Sequence, residues 1–248
     1  MSERARGDLN FNRRAGTYAE NASVQRASAA WLGEWIERDL PADARLWELG
    51  AGTGFFTREI LARGHRVLAT DIAPEMVVRG RRACPEADWA IHDSWKLPAG
   101  VADRLYSSSL LQWMPEPEKT LRVFREALRA GGKMLHGFFV EPSLRELCSL
   151  VEPGVLPLAW RSAEQWLELF RAAGFRVLRA EWRDERGVYR DAEDFLRKLR
   201  DSGATASEAR VPVGALRRIL REYERRFRDD ATGGVFATWR FFRIELGS

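Results

Sequence analysis

The chain has 248 residues, 45% of them hydrophobic and 31% charged, with a formal net charge of +4 at pH 7. That composition belongs to an ordinary folded protein rather than a disordered or fibrous one, and no window offers the roughly 18 unbroken apolar residues of a membrane span. Only Cys84 and Cys148 are present, neither near a second Cys or a His at metal-ligand spacing, which excludes a disulfide scaffold or zinc module and leaves no metal site expected. The opening MSERARGDLNFNRRAG is charged and lacks an apolar core segment, so no secretory leader is expected and the cytoplasm is the expected location.

In chain order, short runs of β-formers alternate with amphipathic stretches. Strands are expected at 45–49, 66–70, 88–92, 103–108 and 133–139, with helices at 55–63, 74–82 and 118–129 between them. Gly64 stops the first helix, Pro74 sits where a first-turn proline costs no hydrogen bond, and Gly131-Gly132 reads as the end of the third. Such alternation predicts a parallel sheet covered on both faces. From Ser162 the rhythm changes: Ser162 with Gln165 three residues on predicts a capping box, opening a helix that Gly174 ends. A short helix around 143–151, a sixth strand over 175–183, helices over 192–200 and 213–228, and a seventh strand over 235–246 complete the chain. The expected fold is α/β, a doubly wound Rossmann-like seven-stranded sheet with the last strand antiparallel. It forms one domain: an N-terminal helical segment (1–40), a ligand-binding core (41–140), and helices within 141–174 and 190–232 that form a lid over the carboxyl edge, where ligands of such folds bind.

The sharpest local signal is Glu48-Leu49-Gly50-Ala51-Gly52-Thr53-Gly54. Glycines at 50, 52 and 54 follow a strand and open a helix, so the backbone can turn tightly and approach a ligand with no Cβ in the way. Asp71 ends the second strand, where a carboxylate can accept both hydrogen bonds of a ribose diol. The pair reads as an adenosine site. A dinucleotide fingerprint needs glycine at the sixth position, which here is Phe55. An anionic Glu48 is awkward beside pyrophosphate and favourable near an ammonium, so S-adenosylmethionine is the expected cofactor. Asp93 and Ser94, after the third strand, are candidates for the adenine amino group, and Ile72 and Met76 for apolar surface against the ring.

These residues resemble the class I S-adenosylmethionine-dependent methyltransferases. ELGAGTG at 48–54, TDIAPEM at 70–76, SSSLLQWM at 107–114 and LRAGGKML at 128–135 are similar to that superfamily's successive motifs; Ser109 enters the cofactor set through the third of them. Within the superfamily, FNRRAGTYAENASVQ at 11–25, Leu111-Gln112-Trp113, SLREL at 143–147, LRKLRDSGA at 196–204 and GGVFATWRFF at 233–242 resemble the enzymes that methylate malonyl-acyl-carrier protein in biotin synthesis. Ala51 stands where those commonly carry Cys, and Trp95 and Lys96 depart from their more acidic approach to Leu97-Pro98. The resemblance implies O-methylation of the free malonyl carboxylate, with Arg145 as its guanidinium fork, Tyr18 closing over the methionine moiety, Trp113 walling the cavity, and Gln25 as a weaker candidate.

The basic excess concentrates between Arg190 and Arg228. On the helix over 213–228, Arg217, Arg221, Arg225 and Arg228 form a stripe apart from the apolar face, a docking surface for an acidic malonyl-acyl-carrier protein. The protein is expected to be a monomer. The alternative reading is a methyltransferase for a small-molecule carboxylate or quinone-type substrate, which would ignore that stripe. Nucleic-acid amine methylation ranks low, because Ser107-Ser108-Ser109-Leu110 lacks the Asn/Asp-Pro-Pro-aromatic run of such enzymes, and a cofactor-binding protein without activity is the remaining rival.

Overall fold

The structure is a computed structural model that describes residues 22–151, 160–201 and 213–248. Its elements follow in the order α1 (Ser23–Gly33), β1 (Leu46–Leu49), α2 (Phe55–Leu61), β2 (Leu68–Asp71), α3 (Pro74–Ala83), β3 (Asp88–Ile91), β4 (Ala102–Ser108), α4 (Pro117–Ala127), β5 (Leu128–Val140), α5 (Arg145–Cys148), α6 (Ala163–Ala172), β6 (Arg176–Tyr189), α7 (Ala192–Asp201), α8 (Val213–Arg226) and β7 (Val235–Gly247). The strands form one sheet ordered β3-β2-β1-β4-β5-β7-β6. The first five are parallel, and β7 runs antiparallel to both β5 and β6. The expected sheet and its antiparallel last strand are therefore present, as is the Ser162–Gln165 capping box.

Alternation along the strands gives the sheet two buried faces. Phe138 and Phe139 are neighbours on β5, as are Phe241 and Phe242 on β7, and successive side chains point to opposite sides. Phe139 and Phe241 join Leu32, Phe56, Ile60 and Tyr106 on one face, while Phe138 and Phe242 join Leu105, Leu121, Phe124 and Phe170 on the other. Each such ring removes enough apolar surface from water to contribute about 2–3 kcal/mol. Arg243, 5% exposed, fastens α1 to β7: its guanidinium lies 3.9 Å from the Trp31 ring centre and 4.2 Å from that of Trp35, and it donates to Glu181 and Glu34.

The largest departures from the expected boundaries are at β5 and β6. The fourth helix ends at Ala127, not Arg129, and β5 begins at once. Ala102 pairs with Leu128 while Arg104 pairs with Lys133, so the strand carries extra residues there, and Gly131 (φ +73°) takes the left-handed turn of that bulge. The glycine pair bends a strand instead of stopping a helix. The sixth strand continues past Arg183 to Tyr189 because β7 supplies partners as far as Val235.

His136 on β5 is fully buried, with Nδ1 2.8 Å from Ser107 Oγ, and burial pulls its pKa down to about 3. The unfolded chain takes up this proton near pH 6.5, whereas the folded chain does not. The stability this group contributes is complete above pH 6.5 and is lost at up to about 1.4 kcal/mol per pH unit as pH falls toward 3. Urea unfolding between pH 4 and 7 should show a shallower acid decline for His136→Gln than for the unaltered chain, and parallel declines would contradict the assignment.

Candidate functional site

The carboxyl ends of the parallel strands carry the site. After β1 the chain turns through three left-handed glycines, Gly50 (φ +62°), Gly52 (φ +57°) and Gly54 (φ +90°), into α2. They serve different ends. A Cβ on Gly50 would come within 2.7 Å of Leu110, whereas one on Gly52 would meet nothing within 4 Å, so the middle of the loop faces open space. Asp71, 9% exposed at the end of β2, accepts the Gly52 N–H through Oδ2 and the Ala73 N–H through Oδ1, both at 2.9 Å. It therefore ties the glycine loop to the next turn, and a carboxylate's capacity of about four hydrogen bonds is compatible with gripping a diol as well.

Glu48 is the main correction to the sequence reading. It is 1% exposed and accepts a 2.7 Å hydrogen bond from Thr57 Oγ1. Burial raises its pKa to about 8; the Thr57 hydroxyl pulls the other way, and the Asp71 charge adds to the rise. Without a cation beside it this carboxyl is mostly neutral at pH 7, not the anion expected. Met76 is buried and Ile72 half-buried. Asp93 accepts the Trp95 N–H at 3.1 Å and lies 3.5 Å from Lys96 Nζ, while Ser94 beside it is buried.

Several polar atoms on these loops are buried with no hydrogen-bond partner: Thr53 Oγ1 after β1, His92 Nδ1 after β3, and Ser109 Oγ and Gln112 Oε1 after β4. Leaving a buried polar group unsatisfied costs about 1–3 kcal/mol, so these four atoms, on the loops after β1, β3 and β4, are open to a polar ligand. Gln112 donates through Nε2 to Ser109 O, which fixes its Oε1 as the acceptor end. Thr53, His92 and Gln112 were absent from the sequence-based site. His92 and Gln112 lie inside the motifs that raised the resemblance, but only tertiary packing reveals their unmet bonds. Trp113 closes the short turn after β4.

Residues 47–136 match the family described as methyltransferase domain. A malonyl-[acyl-carrier protein] O-methyltransferase of a Paenibacillus strain is 29% identical over 96% of each chain, and one of Erwinia pyrifoliae is 28% identical over 90% of this chain and 86% of its own. Residues 47–136 are a methyltransferase domain, and the sheet around them has the fold of S-adenosylmethionine-dependent methyltransferases. An S-adenosylmethionine dependent methyltransferase from Mesorhizobium loti, 18% identical, shares the fold with a TM-score of 0.56 across 90% of this chain and all of that one.

The enzyme's own residues fit its cofactor. A Cβ on Gly52 would meet no atom within 4 Å, Asp71 presents a carboxylate beside it at the end of β2, and Thr53, Ser109 and Gln112 each keep a buried polar atom open to a ligand. Arg145 opens α5 directly after β5, as expected, but is engaged: its Nη1 donates to Asp184 Oδ2 at 3.0 Å and its Nε lies 3.6 Å from Glu146. Gln25 is buried on α1. Tyr18 lies outside the described residues.

Proposed function

We propose that the enzyme methylates the free carboxylate of malonyl-acyl-carrier protein, a step toward a biotin precursor. One observation carries this reading: similarity to the malonyl-[acyl-carrier protein] O-methyltransferase of Paenibacillus spans 96% of both chains, well beyond residues 47–136, and so includes the parts that select a substrate. The cofactor supplies an electrophilic methyl on a sulfonium. The substrate carboxylate is already ionised near pH 7, so the protein needs no general base; it has to aim that oxygen in line at about 3–3.5 Å and exclude water. In this reading Glu48, Gly50, Gly52, Gly54, Asp71, Ile72, Met76, Asp93, Ser94 and Ser109 hold the cofactor, Trp113 and Tyr18 enclose the transfer cavity, Arg145 orients the carboxylate, and α7 and α8 form the lid. A cytoplasmic monomer completes it.

The carrier docks on α8. That helix buries Ile219 and Tyr223 and exposes Arg217, Arg221 and Arg225, the last held 2.7 Å from Glu222. Complementary charge of this kind steers an acidic partner. Reversing Arg217 and Arg221 to Glu should raise KM for the carrier substrate severalfold at low salt and leave cofactor affinity unchanged; an unchanged KM would remove the docking face. For the function itself, labelled S-adenosylmethionine should transfer its methyl to the malonyl carrier far faster than to free malonyl-CoA or a quinone, with the ester identified by mass. Preference for the free small molecules would reject the reading.

A further inference from the structure

We infer that Arg240 is the second arm of a carboxylate clamp shared with Arg145, and that Asp184 occupies the clamp as an internal stand-in until the substrate carboxylate replaces it. The inference rests on the proposed function and adds to it two residues that the sequence did not suggest. Arg240 donates to Asp184 from Nε (2.7 Å, to Oδ1) and Nη2 (3.1 Å, to Oδ2), while Arg145 Nη1 reaches Oδ2 at 3.0 Å. Two guanidinium groups thus already converge on a single carboxylate, a bidentate contact from one and a third hydrogen bond from the other.

The frame beneath them is fixed, and the head groups of Arg145 and Asp184 reach water. Arg240 pairs in the sheet with Val140, the last residue of β5, and Ser143 Oγ both accepts from its N–H and donates to its carbonyl. Glu146, buried, accepts from the Thr238 N–H and hydroxyl and so binds α5 to β7, which sets the starting point of Arg145. The Arg240 guanidinium rests 4.0 Å over the Trp182 ring. By contrast the Arg145 side chain is 49% exposed and that of Asp184 31%. The group lies on the same edge of the sheet as Ser109, with β7 about 10 Å, two strand spacings, from β4.

Charge decides how a substrate enters. Arg145 and Arg240 face Asp184 and, at 3.6 Å from Arg145, Glu146. The four groups balance, and Glu164 adds a further negative charge near Arg240, so another carboxylate comes in by exchange rather than addition. Glu146 is locked by Thr238, but Asp184 stands on β6, the edge strand beyond β7, where its side chain reaches water. A substrate carboxylate takes over the same three charge-assisted hydrogen bonds that Asp184 gives up, so the exchange replaces like with like and the carrier contacts drive it. An acyl group without a free carboxylate has nothing to exchange.

The full-length enzyme with malonyl carrier as variable substrate tests this. Arg240→Met and Arg145→Met should each raise KM for the carrier at least tenfold, with affinity for S-adenosylhomocysteine by calorimetry within twofold of the unaltered chain, and Arg240→Lys, which keeps charge but not the fork, should fall between. Asp184→Asn should move the other way and lower KM severalfold. Equal increases in KM from breaking the pair at either end would show an ordinary structural ion pair and overturn the clamp, as would an unchanged KM in Arg240→Met. If the unaltered chain leaves the malonyl carrier unmethylated, the proposed function fails before any variant is compared, and the clamp with it.

Discussion

A Glu48→Gln chain is expected to melt higher than the unaltered chain at pH 8 and to lose the pH dependence of its cofactor affinity. Glu48 sits under the glycine loop with Thr57 as its hydrogen-bond donor and its pKa raised to about 8. In the unfolded chain the same group ionises near 4.5. Because the folded value is the higher one, the stability it contributes is complete below pH 4.5 and is lost as pH rises through 8, at about 1.4 kcal/mol per unit. A neutral amide escapes that loss. Binding works in the opposite sense: in the proposed reading the cofactor's sulfonium and ammonium come near Glu48 and favour its ionised form, so uptake of the cofactor releases a proton. Its dissociation constant should fall as pH rises from 6 to 8, by at most about tenfold per unit, and should be flat in the variant and weaker throughout. Calorimetry in buffers of different ionisation enthalpy reads the proton directly; no proton release from the unaltered chain would refute the linkage.

Replacing Asp71 should abolish cofactor binding at ordinary concentrations, and Asn should serve no better than Ala. Both carboxylate oxygens accept backbone N–H groups, Gly52 on one side and Ala73 on the other. An amide offers one acceptor and points its NH2 at the second N–H, donor against donor. Hydrogen bonds to a charged acceptor are worth about 1.5–3 kcal/mol each, so losing two at the ribose weakens binding by about two orders of magnitude or more. Loosening the glycine loop adds to this. Calorimetry with S-adenosylhomocysteine would decide, and an Asn variant binding within threefold of the unaltered chain would refute the bridging role.

What could be read from the chain itself were features written in neighbouring residues. Three glycines between a strand and a helix, an acid at the end of the next strand, and Ser162 three residues before Gln165 each carry their geometry locally, and each took that geometry. What stayed hidden depended on partners distant in sequence. Gly131 and Gly132 became a bulge only because β4 sets the register of β5. The sixth strand ran on to Tyr189 because β7 was there to pair with it. Glu48 read as an anion until the sheet closed over it, and the hydrogen-bond partner of Arg145 lies 39 positions away on β6.

The reversed direction of β7 decides where variation can accumulate. With β6 parallel to the first five strands and β7 returning against it, the segment joining them leaves and re-enters at the edge that carries the glycine loop. The described residues of that segment form α7 and α8 and add no strand to the sheet. Insertions and exchanges there can reshape the acceptor's entrance while β1, β2 and their turns stay intact. A chimaera carrying another family member's Ala192–Arg226 segment should keep its grip on the nucleoside and change what it methylates.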